Sequence, residues 1–152
     1  AGEQLELVKA RKDAAADARQ RISEGVESFV GDCVASLREQ TADLCQEMLE
    51  SFKTGKSGVH QKTLNRLTDF IDKFKALNFA GDDELEQRLE EVRSTYLGTS
   101  AGEYRDNARS QARMRQGIQR LADTARELAA ADTREIVESF GRLGTRRFTL
   151  AA

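Results

Sequence analysis

The chain of 152 residues contains no proline and no tryptophan, and it has only two tyrosines and seven phenylalanines. Without proline, no side chain removes a backbone donor or clashes with the preceding helical turn, so long helices are allowed. Ala, Glu, Lys, Leu and Arg make up about half of the chain, a composition typical of long helices and coiled coils. The composition therefore predicts an all-α fold, and the length is that of one ordinary domain.

Long apolar runs and a strong net charge are also missing. No run approaches the roughly 18 apolar residues of a membrane span, and the amino terminus has no apolar stretch typical of a secretory signal. The formal net charge of −2 argues against a general polyanion binder. The chain does not begin with Met, so we interpret residues 1–152 as a single helical domain excised from a longer protein.

Residues for metal or nucleophile chemistry are few. His60 is the only histidine, which excludes a two-histidine zinc site. Cys33 and Cys45 are too few for a disulfide framework, and on one helix they would lie ~18 Å apart, beyond disulfide reach. We expect both as small buried hydrophobes in a reducing cytoplasm. The sequence therefore predicts no catalytic residue, no metal site and no cofactor.

One short stretch, Gly55-Lys56-Ser57, resembles the end of a phosphate-binding P-loop. That motif requires an earlier glycine, but this chain has Glu50 at that position. It also requires a β-strand before the loop, but the sequence pattern predicts a helix there. We therefore interpret the stretch as a glycine-containing turn between helices.

Four helices are predicted from the apolar spacing and the turn residues. Helix A (4–53) carries Ile22, Val26, Phe29, Cys33 and Leu37 at steps of three or four, a stripe that we expect to face the core. The others are helix B (57–77), helix C (starting at Asp82) and helix D, which begins at a Ser100–Glu103 capping box and ends at Gly141. We predict a four-helix up-down bundle in which the long helices A and D extend as an antiparallel coiled-coil stalk.

Ten of the 17 arginines follow residue 100, and Arg105, Arg109 and Arg113 recur every fourth position. Residues 104–122 carry five arginines against one acid, whereas residues 82–93 carry six acids against two arginines. Because these segments are expected to pack antiparallel, their charges should face each other within the fold. The alternative is a nucleic-acid-binding surface built from the arginines after residue 100.

A second basic cluster is the candidate partner-binding site of the chain. It comprises Arg142, Arg146 and Arg147, with Phe148 beside them. This segment either forms an exposed tip or docks onto the bundle.

The first 21 residues suggest self-association. Their apolar residues are only Leu5, Leu7, Val8 and alanines. This apolar seam is too narrow to stabilise a helix by itself. If helix D does not cover this seam, we expect it to pair with a second copy of the chain in a homodimer.

Three stretches carry a family resemblance: TLNRLTDFIDKFKALNFAGDDELE (63–86), AGEYRDNARSQ (101–111) and FGRLGTRRFTLAA (140–152). They resemble an uncharacterised helical family of bacteria, phages and mobile elements, often encoded near a MoxR-like AAA+ ATPase and a von Willebrand A-type protein. The resemblance implies a cytoplasmic setting and an ATPase-linked assembly, and it supplies no catalytic residues. Together with the residue pattern, it leads us to expect a non-enzymatic helical protein-interaction module.

Overall fold

A computed structural model describes residues 2–54 and 59–151, with side chains as far as residue 142 except that of residue 54. Within these ranges the chain forms six α-helices and no β-strand. The helices are α1 (Gly2–Thr54), α2 (Gln61–Leu77), α3 (Asp83–Tyr96), α4 (Ala101–Arg105), α5 (Ala108–Ala130) and α6 (Arg134–Ala151). The all-α prediction is confirmed.

Local turn chemistry explains several helix boundaries. Gly81 follows α2 with a φ of 79°, a left-handed conformation that costs glycine little. Ser100 caps α4, because its hydroxyl accepts a hydrogen bond from the backbone N–H of Glu103 at 3.2 Å. The predicted start of helix B at Ser57 lies outside the described residues.

The prediction of one continuous helix D is wrong, because two caps divide that segment into α4, α5 and α6. Asn107 accepts a hydrogen bond from the backbone N–H of Ser110 at 3.0 Å and so starts α5. Asp132 accepts one from the N–H of Arg134 at 2.7 Å at the start of α6. Asn and Asp side chains compete with the helical hydrogen-bond ladder in this way. The predicted end at Gly141 is also wrong: α6 continues to Ala151, and Gly141 has no positive φ.

Helices α2 and α5 both run antiparallel to α1, and α3 runs antiparallel to α2 while packing beside α5. Their facing sides form one hydrophobic core. Burial of each large apolar side chain there stabilises the folded state by about 1.5–3 kcal/mol. Fully buried members include Met48, Leu67, Ile71, Phe74, Leu89 and Ile118.

The core begins only at Val30, and every residue from 2 to 29 is exposed. We call residues 2–29 the α1 arm. The expectation that Ile22, Val26 and Phe29 line the core is wrong, since they are 67%, 46% and 62% exposed. Over residues 2–54 and 59–151 six helices replace the predicted four, so the four-helix bundle with an A–D stalk is not confirmed.

A buried ion pair joins three parts of the fold. Arg38 of α1 donates from Nε to Asp82 Oδ2 at 2.8 Å and from Nη2 to Oδ1 at 3.3 Å. Its Nη1 donates to the carbonyl of Leu128, near the end of α5, at 2.8 Å. Asn78 orients the turn by accepting a hydrogen bond from the backbone N–H of Asp82 at 2.9 Å. Since Arg38 and Asp82 are 4% and 2% exposed, neither charge has water as an alternative partner.

A close approach between α3 and α5 depends on Gly117. A Cβ built there would lie 2.2 Å from Cε2 of Tyr96 and 2.6 Å from its hydroxyl oxygen, so the tyrosine ring occupies the space of the missing side chain. The carbonyl of Tyr96 in turn accepts a hydrogen bond from the hydroxyl of buried Tyr104 at 2.5 Å. Gly117 therefore lets Tyr96 connect α3, α4 and α5.

Replacing Arg38 by methionine should lower the free energy of unfolding by about 3–5 kcal/mol, because it leaves the Asp82 carboxylate buried and unpaired. The matched control is Arg66→Met, which breaks an exposed pair with Glu47 and should cost no more than about 1 kcal/mol. Urea denaturation followed by circular dichroism measures both. Equal losses for the two variants would contradict the assigned role of Arg38.

Replacing Gly117 by alanine should lower the free energy of unfolding by about 1–3 kcal/mol, because the new methyl group displaces the Tyr96 ring. In a Tyr96→Ala background the same substitution should instead raise it by about 1 kcal/mol, the helix-propensity advantage of alanine. A double-mutant cycle by thermal or urea denaturation tests this change of sign. The same sign in both backgrounds would show that the ring is not the cause.

Candidate interaction surfaces

The α1 arm is an open surface of the described chain. Its 28 residues form ~42 Å of continuous helix at ~1.5 Å per residue, and all of them are exposed. Helices in proteins gain most of their stability from tertiary packing of an apolar face. The arm nevertheless presents six large apolar side chains to solvent: Leu5, Leu7, Val8, Ile22, Val26 and Phe29.

Aromatic rings extend this apolar surface at the base of the arm. The ring of Phe29 stacks on Phe79 with centroids 6.2 Å apart, and Phe140 of α6 meets Phe79 edge-on at 5.7 Å. Phe79 is still 50% exposed, and neighbouring Leu77 is 46% exposed. The rings therefore hold α6 against the α2–α3 turn and leave an open apolar patch next to the arm.

The start of helix α6 packs against α1 at Gly31, two residues after the end of the arm. A Cβ built at Gly31 would lie 3.3 Å from Thr133 Oγ1 and 3.7 Å from Val137 Cγ2, so the missing side chain allows the close approach. This contact lies beyond residue 29 and leaves the arm uncovered.

The first three arginines after residue 100 form a second exposed surface. Arg105, Arg109 and Arg113 are all exposed, and no ion pair joins them to any described residue. Within the described part of the chain, no ion pair joins the acids of α3 to these three arginines, whereas Glu91 of α3 and Arg120 of α5 line the same cleft. Those acids pair elsewhere, for example Glu90 with Lys75 at 2.5 Å.

Two neighbouring arginines have other partners. Arg115 places its guanidinium 5.9 Å from the ring centroid of Phe52 and donates to the Phe52 carbonyl at 3.4 Å. Arg126 hydrogen-bonds Gln46. These two side chains hold α5 against α1 and are less available to a ligand.

The second basic cluster is described only in part. Arg142 is exposed on α6, whereas the side chains of Arg146, Arg147 and Phe148 lie outside the described residues. Gly55-Lys56-Ser57 also lies outside them. The partner-binding role of the cluster therefore stays a prediction.

The two cysteines have different surroundings. Cys45 is fully buried, and burial raises the pKa of its thiol from the ordinary 9.0 to about 12, only partly offset by the positive charge of Arg126. Near neutral pH it is an un-ionised thiol and a poor nucleophile. Cys33 is half-buried, so the expectation of burial is confirmed for Cys45 and wrong for Cys33.

A polar cleft lies between α3 and α5 above the Tyr96–Gly117 contact. Its volume is about 210 Å³, and its charged lining residues are Arg88, Glu91 and Arg120. Burial raises the pKa of nearby Tyr104, partly offset by a hydrogen bond with Thr99. That phenol donates to a backbone carbonyl, so its arrangement is structural.

The sequence interpretation missed Arg38 and Asp82. The sequence pattern predicts Asp82 only as the start of helix C, and it assigns no role to Arg38. The available signal was the position of Arg38 between Val34 and Thr41, on the face that becomes buried.

Within the described residues, no group of His, Cys, Asp and Glu side chains could hold a metal ion. In the same ranges no helix is both long and apolar enough to cross a membrane.

Comparisons of the chain with known protein families, with curated proteins and with solved structures find no match. The resemblance to the helical family of mobile elements is therefore still a prediction.

Proposed function

We propose that this chain is a non-enzymatic helical interaction module that binds a protein partner through the α1 arm. The observation that carries the proposal is the arm itself: 28 exposed residues of helix that present Ile22, Val26 and Phe29 to solvent. A helix with such a face gains stability when another protein covers it. A coiled coil would then form between the arm and its partner, instead of the predicted stalk of helices A and D.

The non-enzymatic part of the proposal is supported by the residue pattern. Glu50 occupies the position of the first P-loop glycine, and the single histidine has no second imidazole to act with it. Cys45 is buried and un-ionised near neutral pH. From the family resemblance we further propose a cytoplasmic location and an assembly linked to an AAA+ ATPase.

Co-purification of the tagged chain from its native host tests the proposed function. We expect a stable partner whose recovery falls about tenfold or more in an Ile22→Ser/Val26→Ser variant, because apolar anchors dominate binding energy. The matched control is Glu24→Ser/Glu27→Ser, which alters the charged face of the same turns and should recover the partner normally.

Equal recovery of the partner by all three proteins would contradict a role for the arm. The non-enzymatic assignment would be overturned by specific nucleotide hydrolysis that Lys56→Ala abolishes.

Self-association through residues 1–21 belongs to the same proposal as a second way of covering the arm. Sedimentation equilibrium of the intact chain and of a chain lacking residues 1–21 tests it. A monomeric mass for both at every concentration would exclude the homodimer.

Nucleic-acid binding is the second candidate function, and it is favoured by one observation. Arg105, Arg109 and Arg113 are exposed every fourth residue, and no described acid pairs with them. Arg105 ends α4, whereas Arg109 and Arg113 lie one turn apart on α5. Exposed arginines can contact phosphates, and each contact adds salt dependence to the affinity.

A fluorescence titration with DNA and RNA at low salt separates the two functions. The interaction-module proposal predicts no binding, or weak binding that Arg105→Glu/Arg109→Glu does not change. Affinity that falls steeply with salt and drops about tenfold or more in that variant would favour the nucleic-acid function.

A further inference from the structure

Five of the six large exposed apolar side chains of the α1 arm follow a heptad pattern, and only Leu7 lies outside it. The seam positions 5, 8, 12, 15, 19, 22, 26 and 29 alternate in steps of three and four. Five of the eight hold Leu5, Val8, Ile22, Val26 and Phe29, and the three between them hold Lys12, Ala15 and Arg19. This spacing places them along one narrow seam, the a and d positions of a coiled coil. The arm is therefore shaped to receive another helix along its length, rather than a flat surface.

The same seam carries positive charge and no negative charge. Lys12 and Arg19 occupy seam positions, and Lys9 and Arg11 occupy the flanking e and g positions. All four side chains are exposed, and none forms an ion pair with a described residue. All six acids of the arm lie at the outer b and f positions, away from the seam: Glu3, Glu6, Asp13, Asp17, Glu24 and Glu27.

This distribution limits which helix can cover the seam. A partner helix would bring Lys12 and Arg19 into an interface that excludes water, and buried cations are costly unless acids pair with them. A second copy of the arm offers no acid at its a, d, e or g positions, so it could not pair with these cations across the seam in either a parallel or an antiparallel arrangement. Helix α6 already packs at Gly31 and leaves residues 2–29 exposed.

We propose that the arm binds an acidic amphipathic helix of a different protein, whose apolar seam is flanked by glutamate or aspartate. This inference rests on the proposed interaction function and names the chemistry of the partner. Acids at the partner's e and g positions would pair with Lys9, Arg11, Lys12 and Arg19, while its apolar residues cover Ile22, Val26 and Phe29.

Two designed peptides of about four heptads test the proposal against the full chain. Both carry isoleucine at a and leucine at d; one has glutamate at every e and g position, and the other has lysine there. Like charges keep each peptide from pairing with itself. By fluorescence anisotropy in moderate salt, we expect the acidic peptide to bind at least about tenfold more tightly than the basic one.

Charge reversal on the arm should reverse this preference. In Lys12→Glu/Arg19→Glu, the basic peptide should bind more tightly than the acidic peptide. The control Arg105→Glu/Arg109→Glu makes the same change in net charge at two exposed, unpaired arginines elsewhere, and it should keep the wild-type preference. Circular dichroism checks that each variant is as helical as the wild type.

Each other outcome overturns the inference in a different way. Equal binding of both peptides, lost in Ile22→Ser/Val26→Ser, would retain an interaction surface without its charge preference. A dimer that Ile22→Ser/Val26→Ser dissociates would make a second copy the occupant. If neither peptide binds, the acidic-helix partner is wrong, and co-purification from the host then decides the interaction function separately.

Discussion

The contact of Arg38 with Asp82 and the Leu128 carbonyl determines how the helices meet. One guanidinium connects the middle of α1, the turn before α3 and the last turn of α5. Because the two charged groups are almost fully buried, any arrangement that separates them leaves an unpaired charge away from water. Arginine suits this position, since its planar fork binds a carboxylate side-on while a third nitrogen reaches a helix-terminal carbonyl.

This contact also explains why the arm is uncovered. Helix α5 runs down α1 and ends near Leu128, at the level of Arg38. Asp132 then starts α6, which meets α1 at Gly31 and closes the apolar layer with Phe140 on Phe79. On the amino-terminal side of this contact no described helix buries α1, so residues 2–29 extend as an exposed helix. The interior of the fold and its proposed binding surface are thus two parts of the same long helix.

The two candidate surfaces differ in chemistry. The arm combines an apolar seam with basic flanks, which suits another helix that supplies both apolar contacts and acids. The exposed group of Arg105, Arg109 and Arg113 has positive charge but no apolar seam, and such a surface suits contact with a phosphate backbone. Arg115 and Arg126 show that position in the helix decides the role, since both face α1 and serve packing.

The sequence by itself determined the all-α class and several boundaries, because these depend on neighbouring residues. The missing proline allows a 53-residue helix, Gly81 supplies a positive φ, and Ser100 accepts a hydrogen bond from the next turn. Only the tertiary structure decided which apolar residues are covered. Ile22 and Leu37 belong to one periodic stripe, yet Ile22 is 67% exposed and Leu37 is 4% exposed. Periodicity describes a face of a helix, whereas burial depends on where another helix ends. The role of Arg38 was decided in the same way, since its partners lie 44 and 90 residues further along the chain and no local pattern brings them together.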